Sequence, residues 1–175
     1  MINLPFSPFA RRNFVVEPLS AADCPHLHQI HVQTFRHAWS EEDFYALLGQ
    51  ETAFGFIARQ EGRPGSAAGF VLARLVVDEA EILTIAVPPA FQKQGVGRAL
   101  MDAALRHLHG QRARTLFLEV DQANVAAQAL YRRLGFAKVG DRAAYYETGE
   151  GRSAALILRR DLGSDQAPDQ DPDRK

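Results

Sequence analysis

Ile85-Ala86-Val87-Pro88-Pro89-Ala90-Phe91-Gln92-Lys93-Gln94-Gly95-Val96-Gly97-Arg98-Ala99-Leu100 is the stretch that decides how this chain folds. An apolar, β-favouring run from Glu81 to Val87 is stopped by Pro88-Pro89. A loop with two glycines follows. An amphipathic helix then opens near Gly95 and runs to about His109, with Leu100, Ala104 and Leu108 on one stripe. Glycines at 95 and 97 let the backbone approach a ligand closely. Unsatisfied N–H groups at the helix N-terminus, together with the helix dipole, favour an anion there. Lys93 and Arg98 add positive charge. The segment is therefore expected to cradle a phosphate. It is not a Walker A loop, because no Gly-Lys-Ser/Thr follows. It is not the dinucleotide fingerprint either, because Leu100 stands where the third glycine belongs. The bland alternative is an ordinary strand-to-helix turn that happens to hold two glycines.

Upstream, Phe14 to Leu19 reads as a short strand, and Ser20 can cap a helix from Ala21 to about Phe35. Ser40, followed by Glu41, Glu42 and Asp43, starts a second helix that Gly49 ends. Thr52–Gln60 and Ala67–Val77 form a hairpin around Glu61-Gly62-Arg63-Pro64-Gly65. Downstream, Thr115–Val120 is a buried strand, and Asn124 opens a helix through Leu134 that Gly135 closes. Strands near Ala137–Tyr146 and Ser153–Arg160 complete the order βααβββαβαββ. Strands alternating with helices in this way imply an α/β sandwich with a mixed sheet.

The bulk properties limit the alternatives. The chain has 175 residues, 46% hydrophobic and 23% charged, which suits one domain with a real core. No apolar run approaches the roughly 18 residues of a membrane helix. Met1 to Phe9 is broken by Pro5 and Pro8, and its charges follow the apolar residues, the wrong order for a signal peptide. One cysteine, Cys24, excludes an internal disulfide and a multi-cysteine metal site. These features predict a cytoplasmic protein. The net charge of −1 speaks against a nucleic-acid partner. Its distribution is uneven: residues 1–87 hold six basic and ten acidic side chains, residues 88–162 twelve and seven. The basic part could receive an anionic cofactor. Residues 163–175 contain a single apolar side chain, Ala167, and are expected to be a disordered acidic tail. Residues 1–12 read as a flexible arm and 13–162 as the domain.

Gln92-Lys93-Gln94-Gly95-Val96-Gly97 fits the Gln/Arg-x-x-Gly-x-Gly/Ala acetyl-CoA signature of the GNAT superfamily of N-acetyltransferases, which the chain resembles. Within it, the chain is most similar to the ribosomal-protein-alanine N-acetyltransferases. Ala38-Trp39-Ser40, Ile85-Ala86-Val87, Leu118-Glu119-Val120, Asn124, Ala129-Leu130-Tyr131, Leu134-Gly135-Phe136, Tyr145-Tyr146 and Gly151-Arg152 carry that likeness across residues 13–162. The resemblance implies a mixed, mostly antiparallel central sheet flanked by helices. It also implies direct acetyl transfer from acetyl-CoA to a protein N-terminal amine, with a ribosomal protein as the candidate acceptor; the composition and residue spacings themselves lead us to expect no metal, nucleic acid or membrane partner. Two positions depart from the pattern. The family usually has a basic residue two places after the strand glutamate, where Asp121 stands. It usually has an acidic pair after Gly-Arg, where Ser153-Ala154 stand.

The resemblance makes Glu119 the general base; alone, it reads equally as a solvent-facing strand carboxylate. Tyr131 becomes the proton donor to the CoA thiolate; alone, it is a packed aromatic sharing a helix face with Asn124 and Gln128. A phenol near 10 and a thiol near 8.5 differ by about 1.5 units, about 2 kcal/mol uphill. Gln92, Lys93, Gln94, Gly95, Val96, Gly97, Arg98 and Asn124 are the expected cofactor contacts. Backbone groups of Ile85, Ala86 and Val87 would pair with the pantetheine arm as an added strand would. Asn124 can equally be a helix cap, and Trp39 either a wall of the acceptor groove or core. A covalent role for Cys24 finds no His and acid partners, and His28/His31 lack a third metal ligand. Two rivals stand beside N-terminal transfer: an enzyme acting on a small amine or a lysine, and a silent acetyl-CoA-binding module.

Overall fold

The computed structural model describes residues 13–63, 65–142 and 154–163. The expected order of elements is the one observed. It runs β1 (Phe14–Pro18), α1 (Cys24–Thr34), α2 (Glu41–Leu48), β2 (Ala53–Gln60), β3 (Ala67–Val76) and β4 (Glu79–Ala86). It continues with α3 (Val96–Gly110), β5 (Thr115–Asp121), α4 (Val125–Arg133), β6 (Ala137–Arg142) and β7 (Ala155–Asp161). The strands form a seven-stranded sheet in the order β1-β2-β3-β4-β5-β7-β6. Pairing is antiparallel for β1–β2, β5–β7 and β6–β7, and parallel for β4–β5. This is the mixed, mostly antiparallel sheet with helices that the resemblance implied. The expected arm 1–12, the end of β6 at 143–146, Gly151-Arg152, Ser153 and all of the expected tail except Gly163 lie outside the described residues.

Local chemistry accounts for the boundaries. Ser20 donates from its N–H and its hydroxyl to Asp23 Oδ2, which makes a turn of 3-10 helix over Ala21–Asp23 before α1 begins. The first helix therefore starts three residues later than expected. At α2 the Ser40 hydroxyl accepts the Asp43 N–H at 3.1 Å while Asp43 Oδ2 accepts the Ser40 N–H at 2.8 Å, a reciprocal capping box. β4 begins at Glu79, two residues earlier than expected, because Val77-Asp78 make a tight turn with Val77 at φ 58°. The Asp78 carbonyl accepts the Arg114 N–H at 2.7 Å, and its carboxylate pairs with Arg114 Nε at 3.3 Å. Those bonds hold the turn in a conformation that valine disfavours.

The described chain divides into two compact units, one of residues up to 73 with 84–105, the other of 74–83 with 106 onward. In the first, Leu100 and Ala104 are fully buried, as the stripe on α3 requires, with Phe44, Phe70, Leu27 and Ile57 around the same core. Phe44 of α2 meets Phe70 of β3 edge to face at 5.6 Å. In the second, Leu116, Leu118 and Val120 bury one face of β5, and Tyr131, Leu134 and Phe136 are buried as well. Among the described residues no helix is long and apolar enough to cross a membrane.

Candidate functional site

In the first unit, β4 gives way to Pro88, a 3-10 turn over Pro89–Phe91, and the glycine loop. Side chains hold the loop closed. Gln92 Nε2 donates to the Val87 carbonyl at 3.0 Å, and Gln94 Nε2 donates to the Ala90 carbonyl at 2.8 Å. The backbone enters the left-handed region twice, at Lys93 (φ 58°) and Gly95 (φ 86°). Such changes of handedness build concavities of backbone N–H groups. A Cβ placed on Gly95 would meet nothing within 4 Å, so the backbone there borders open space. The first helical bond of α3 runs from the Ala99 N–H to the Gly95 carbonyl at 2.9 Å. The N–H groups of Val96, Gly97 and Arg98 precede it and have no acceptor within the helix. An anion fits such a place, and the residues present suit the diphosphate of a CoA ester. Val96 turns its side chain into the core and offers only its backbone. Arg98 Nε contacts both oxygens of Asp102 at 2.9 and 3.0 Å, which offsets part of the charge expected from it. Ala86 is buried, and Ile85 and Val87 are half-buried.

Two histidines of α1 hold the segment before α2. His31 Nδ1 accepts the Trp39 N–H at 3.1 Å, and His28 Nδ1 lies 2.8 Å from the Trp39 carbonyl oxygen. With Nδ1 an acceptor, His31 carries its proton on Nε2, which lies 3.3 Å from Thr84 Oγ1. The His31 ring stacks with Phe35 at 4.2 Å and with Trp39 at 5.2 Å, and the residue is only 3% exposed. Burial, and then the neighbouring His28, push its pKa down. These histidines clamp the backbone of one residue, Trp39, from both sides, a role the sequence does not announce.

In the second unit, the face of β5 opposite the core is closed at Thr115 and open at Glu119 and Asp121. Glu119 accepts from Arg142 Nη1 at 2.7 Å. Asp121 Oδ1 accepts the Ala123 N–H at 2.7 Å, and its carbonyl accepts the Asn124 N–H at 2.9 Å. Gln128 Nε2 reaches back to the Asp121 and Gln122 carbonyls at 3.3 and 2.8 Å. The turn from β5 into α4 is thereby fixed. Asn124 caps α4, its Oδ1 accepting the Ala127 N–H at 3.1 Å.

Tyr131 is locked by the way α4 ends. Gly135 is left-handed (φ 81°), its N–H donates to the Arg132 carbonyl, and the Phe136 N–H donates to the Tyr131 carbonyl, each at 3.0 Å. This is a Schellman end, with its usual apolar contact supplied by Tyr131 and Phe136 at 5.8 Å. Leu134-Gly135-Phe136 thus sets where the phenol sits. The ring is 4% exposed, and burial raises its pKa to about 12. Arg142 and Gln128 are the site residues that sequence reasoning passed over as contacts. Arg142 lies 23 residues from its partner and meets it only through strand register. Among the described residues, no three His, Cys, Asp or Glu side chains gather as a metal-ligand set would.

A family model described as the acetyltransferase (GNAT) family matches residues 24–136. The [ribosomal protein bS18]-alanine N-acetyltransferase of Escherichia coli K12 is 36% identical over 143 residues, covering 82% of this chain and 94% of that protein. The crystal structure of the Escherichia coli ribosomal-protein-S18-alanine N-acetyltransferase superposes with a TM-score of 0.79 at 33% identity, over 89% of this chain and 98% of that one. Arabidopsis thaliana NAA60, solved in complex with acetyl-CoA, shares the fold with a TM-score of 0.75 at 21% identity, over 87% of this chain and all of that one.

Proposed function

This chain belongs to the acetyltransferase (GNAT) family, and on that premise we propose that it transfers acetyl from acetyl-CoA to a protein N-terminal α-amine, the alanine of a bS18-type ribosomal protein. The observation that carries this reading is the 36% identity over 143 residues, 82% of this chain and 94% of that relative. We place the reaction in the cytoplasm, where acetyl-CoA and ribosomal proteins meet.

Acetyl-CoA supplies the activated acyl group as a thioester. The backbone N–H groups of Gly95, Val96, Gly97 and Arg98 would hold its diphosphate, with Lys93 as counter-charge. Gln92 and Gln94 keep that loop in shape. Backbone groups of Ile85, Ala86 and Val87 would line the pantetheine arm, and Asn124 would reach the cofactor from the head of α4.

Glu119 takes the proton that the acceptor nitrogen loses as it bonds to the acyl carbon. Tyr131 donates a hydrogen bond, and then its proton, to the departing sulfur. A phenol near 12 remains protonated throughout the working range, so the donor is always loaded. Against a free thiol near 8.5 that proton is about 3.5 units, about 5 kcal/mol, uphill. The desolvation that raises the phenol raises a neighbouring thiol as well and narrows the gap.

The choice of amine follows from acidity. An α-amine near 8 is about a tenth free base at pH 7, whereas a lysine near 10.4 is about 0.04% free. The difference of about 2.4 units is about 3.3 kcal/mol of extra deprotonation work, too much to ask of one carboxylate. The experiment is a peptide that begins with alanine and contains an internal lysine, incubated with acetyl-CoA and sequenced by mass spectrometry. The acetyl group should sit on the α-nitrogen. Label mainly on the lysine, or reaction with small polyamines alone, would replace this reading by a small-amine or lysine acetyltransferase.

A further inference from the structure

The Glu119–Arg142 pair runs diagonally across three strands. Glu119 faces Ile157 on β7, and Ile157 faces Gly140 on β6. Asp121 faces Ala155, and Ala155 faces Arg142. Facing residues of an antiparallel pair, and residues two apart on one strand, lie on the same side of a sheet. Glu119, Asp121, Ala155, Ile157, Gly140 and Arg142 therefore share one face. The lateral counterpart of Arg142 is Asp121, yet its Nη1 donates to Glu119 Oε1 at 2.7 Å. The pair crosses β7 between Ile157 and Ala155, and Ala155 has only a methyl group to place there. Asp121, nearer in register, has Oδ1 turned to the Ala123 N–H.

A glutamate at the open end of a strand samples several staggered rotamers and loses that freedom only when something holds it. Arg142 holds Oε1, and among the described residues Oε2 has no hydrogen-bond donor. The side chains are 69% and 39% exposed for Arg142 and Glu119, so the pair adds little to stability. Its consequence is the geometry of one carboxylate. We infer that Arg142 is a positioning residue that aims the free oxygen of Glu119 at the acceptor amine. This rests on Glu119 being the proton acceptor of the proposed reaction.

The test is a double-mutant cycle on the full chain, with acetyl-CoA and a peptide beginning with alanine as substrates. Arg142→Met should lower kcat about tenfold or more, while KM for acetyl-CoA stays within about twofold. The melting temperature should move by no more than about 2 °C. Arg142→Gln replaces it should the methionine variant melt early. In a Glu119→Gln background the Arg142 substitution should lower kcat by less than about twofold, because the group it aims is gone. Effects of the two substitutions that multiply would overturn the inference. So would full kcat in Arg142→Met beside a crippled Glu119→Gln, an outcome that leaves the role of Glu119 standing. Full kcat in Glu119→Gln would remove the proton-acceptor reading itself and the positioning role with it.

Discussion

The two sides of the β5–α4 turn carry groups whose behaviour depends on single atoms. Tyr131→Phe keeps the Phe136 contact and the Schellman end but removes the hydroxyl. Turnover should fall by about a hundredfold or more with acetyl-CoA affinity little changed, measured by steady-state kinetics beside calorimetry. Near-normal turnover would leave Tyr131 as packing. Val77 tests another kind of residue-scale statement. It is 91% exposed and left-handed, so its side chain gains no burial to offset the strain. Val77→Asn should raise stability by about 1 kcal/mol, a rise of about 2–4 °C in a thermal melt. Residues of this kind were the least legible in the sequence. Nothing about a valine announces a turn, and the pairing of Arg142 with Glu119 depends on a register that no local pattern encodes. Asn124 was legible, because a cap lies next to the helix it serves.

Element boundaries follow the strength of the local signal. On α3, Leu100, Ala104 and Leu108 are all fully buried, as a stripe at helical spacing requires. At the start of α1 the local bonding of Ser20 and Asp23 won over the helical pattern and made a 3-10 turn instead. α4 is the element where structure and chemistry can be separated by experiment. Asn124→Ala removes a cap and should cost about 1 kcal/mol in denaturant unfolding. Asn124→Ser keeps a capping oxygen but withdraws the amide. It should melt like the parent and yet show a raised KM for acetyl-CoA if the amide reaches the cofactor. A serine variant with parental KM would confine Asn124 to its structural role.

For the molecule as a whole, acid should be destabilising, and His31 gives the reason. Its folded pKa is depressed, so between that value and the unfolded 6.5 the unfolded chain binds more protons. Its contribution is fully present above about 6.5 and is lost as the pH falls below it. Protonation would also place a hydrogen on Nδ1, where the Trp39 N–H now points. The urea midpoint should therefore drop from pH 7.5 to pH 5.5 by more than it does in a His31→Gln variant. Equal drops would show that other groups carry the effect. Elsewhere the chain is quiet in a useful way. Cys24, its one thiol, has no exposed surface, and burial raises its pKa. Each acetyl moved sets free one molecule of CoA, whose sulfur is open to any disulfide dye. Such a dye added to the running reaction should count product against a dark background, with well under one equivalent consumed by the folded chain and a full equivalent once denaturant is added. The colour that follows turnover then doubles as an alarm for unfolding, with no label attached to the protein.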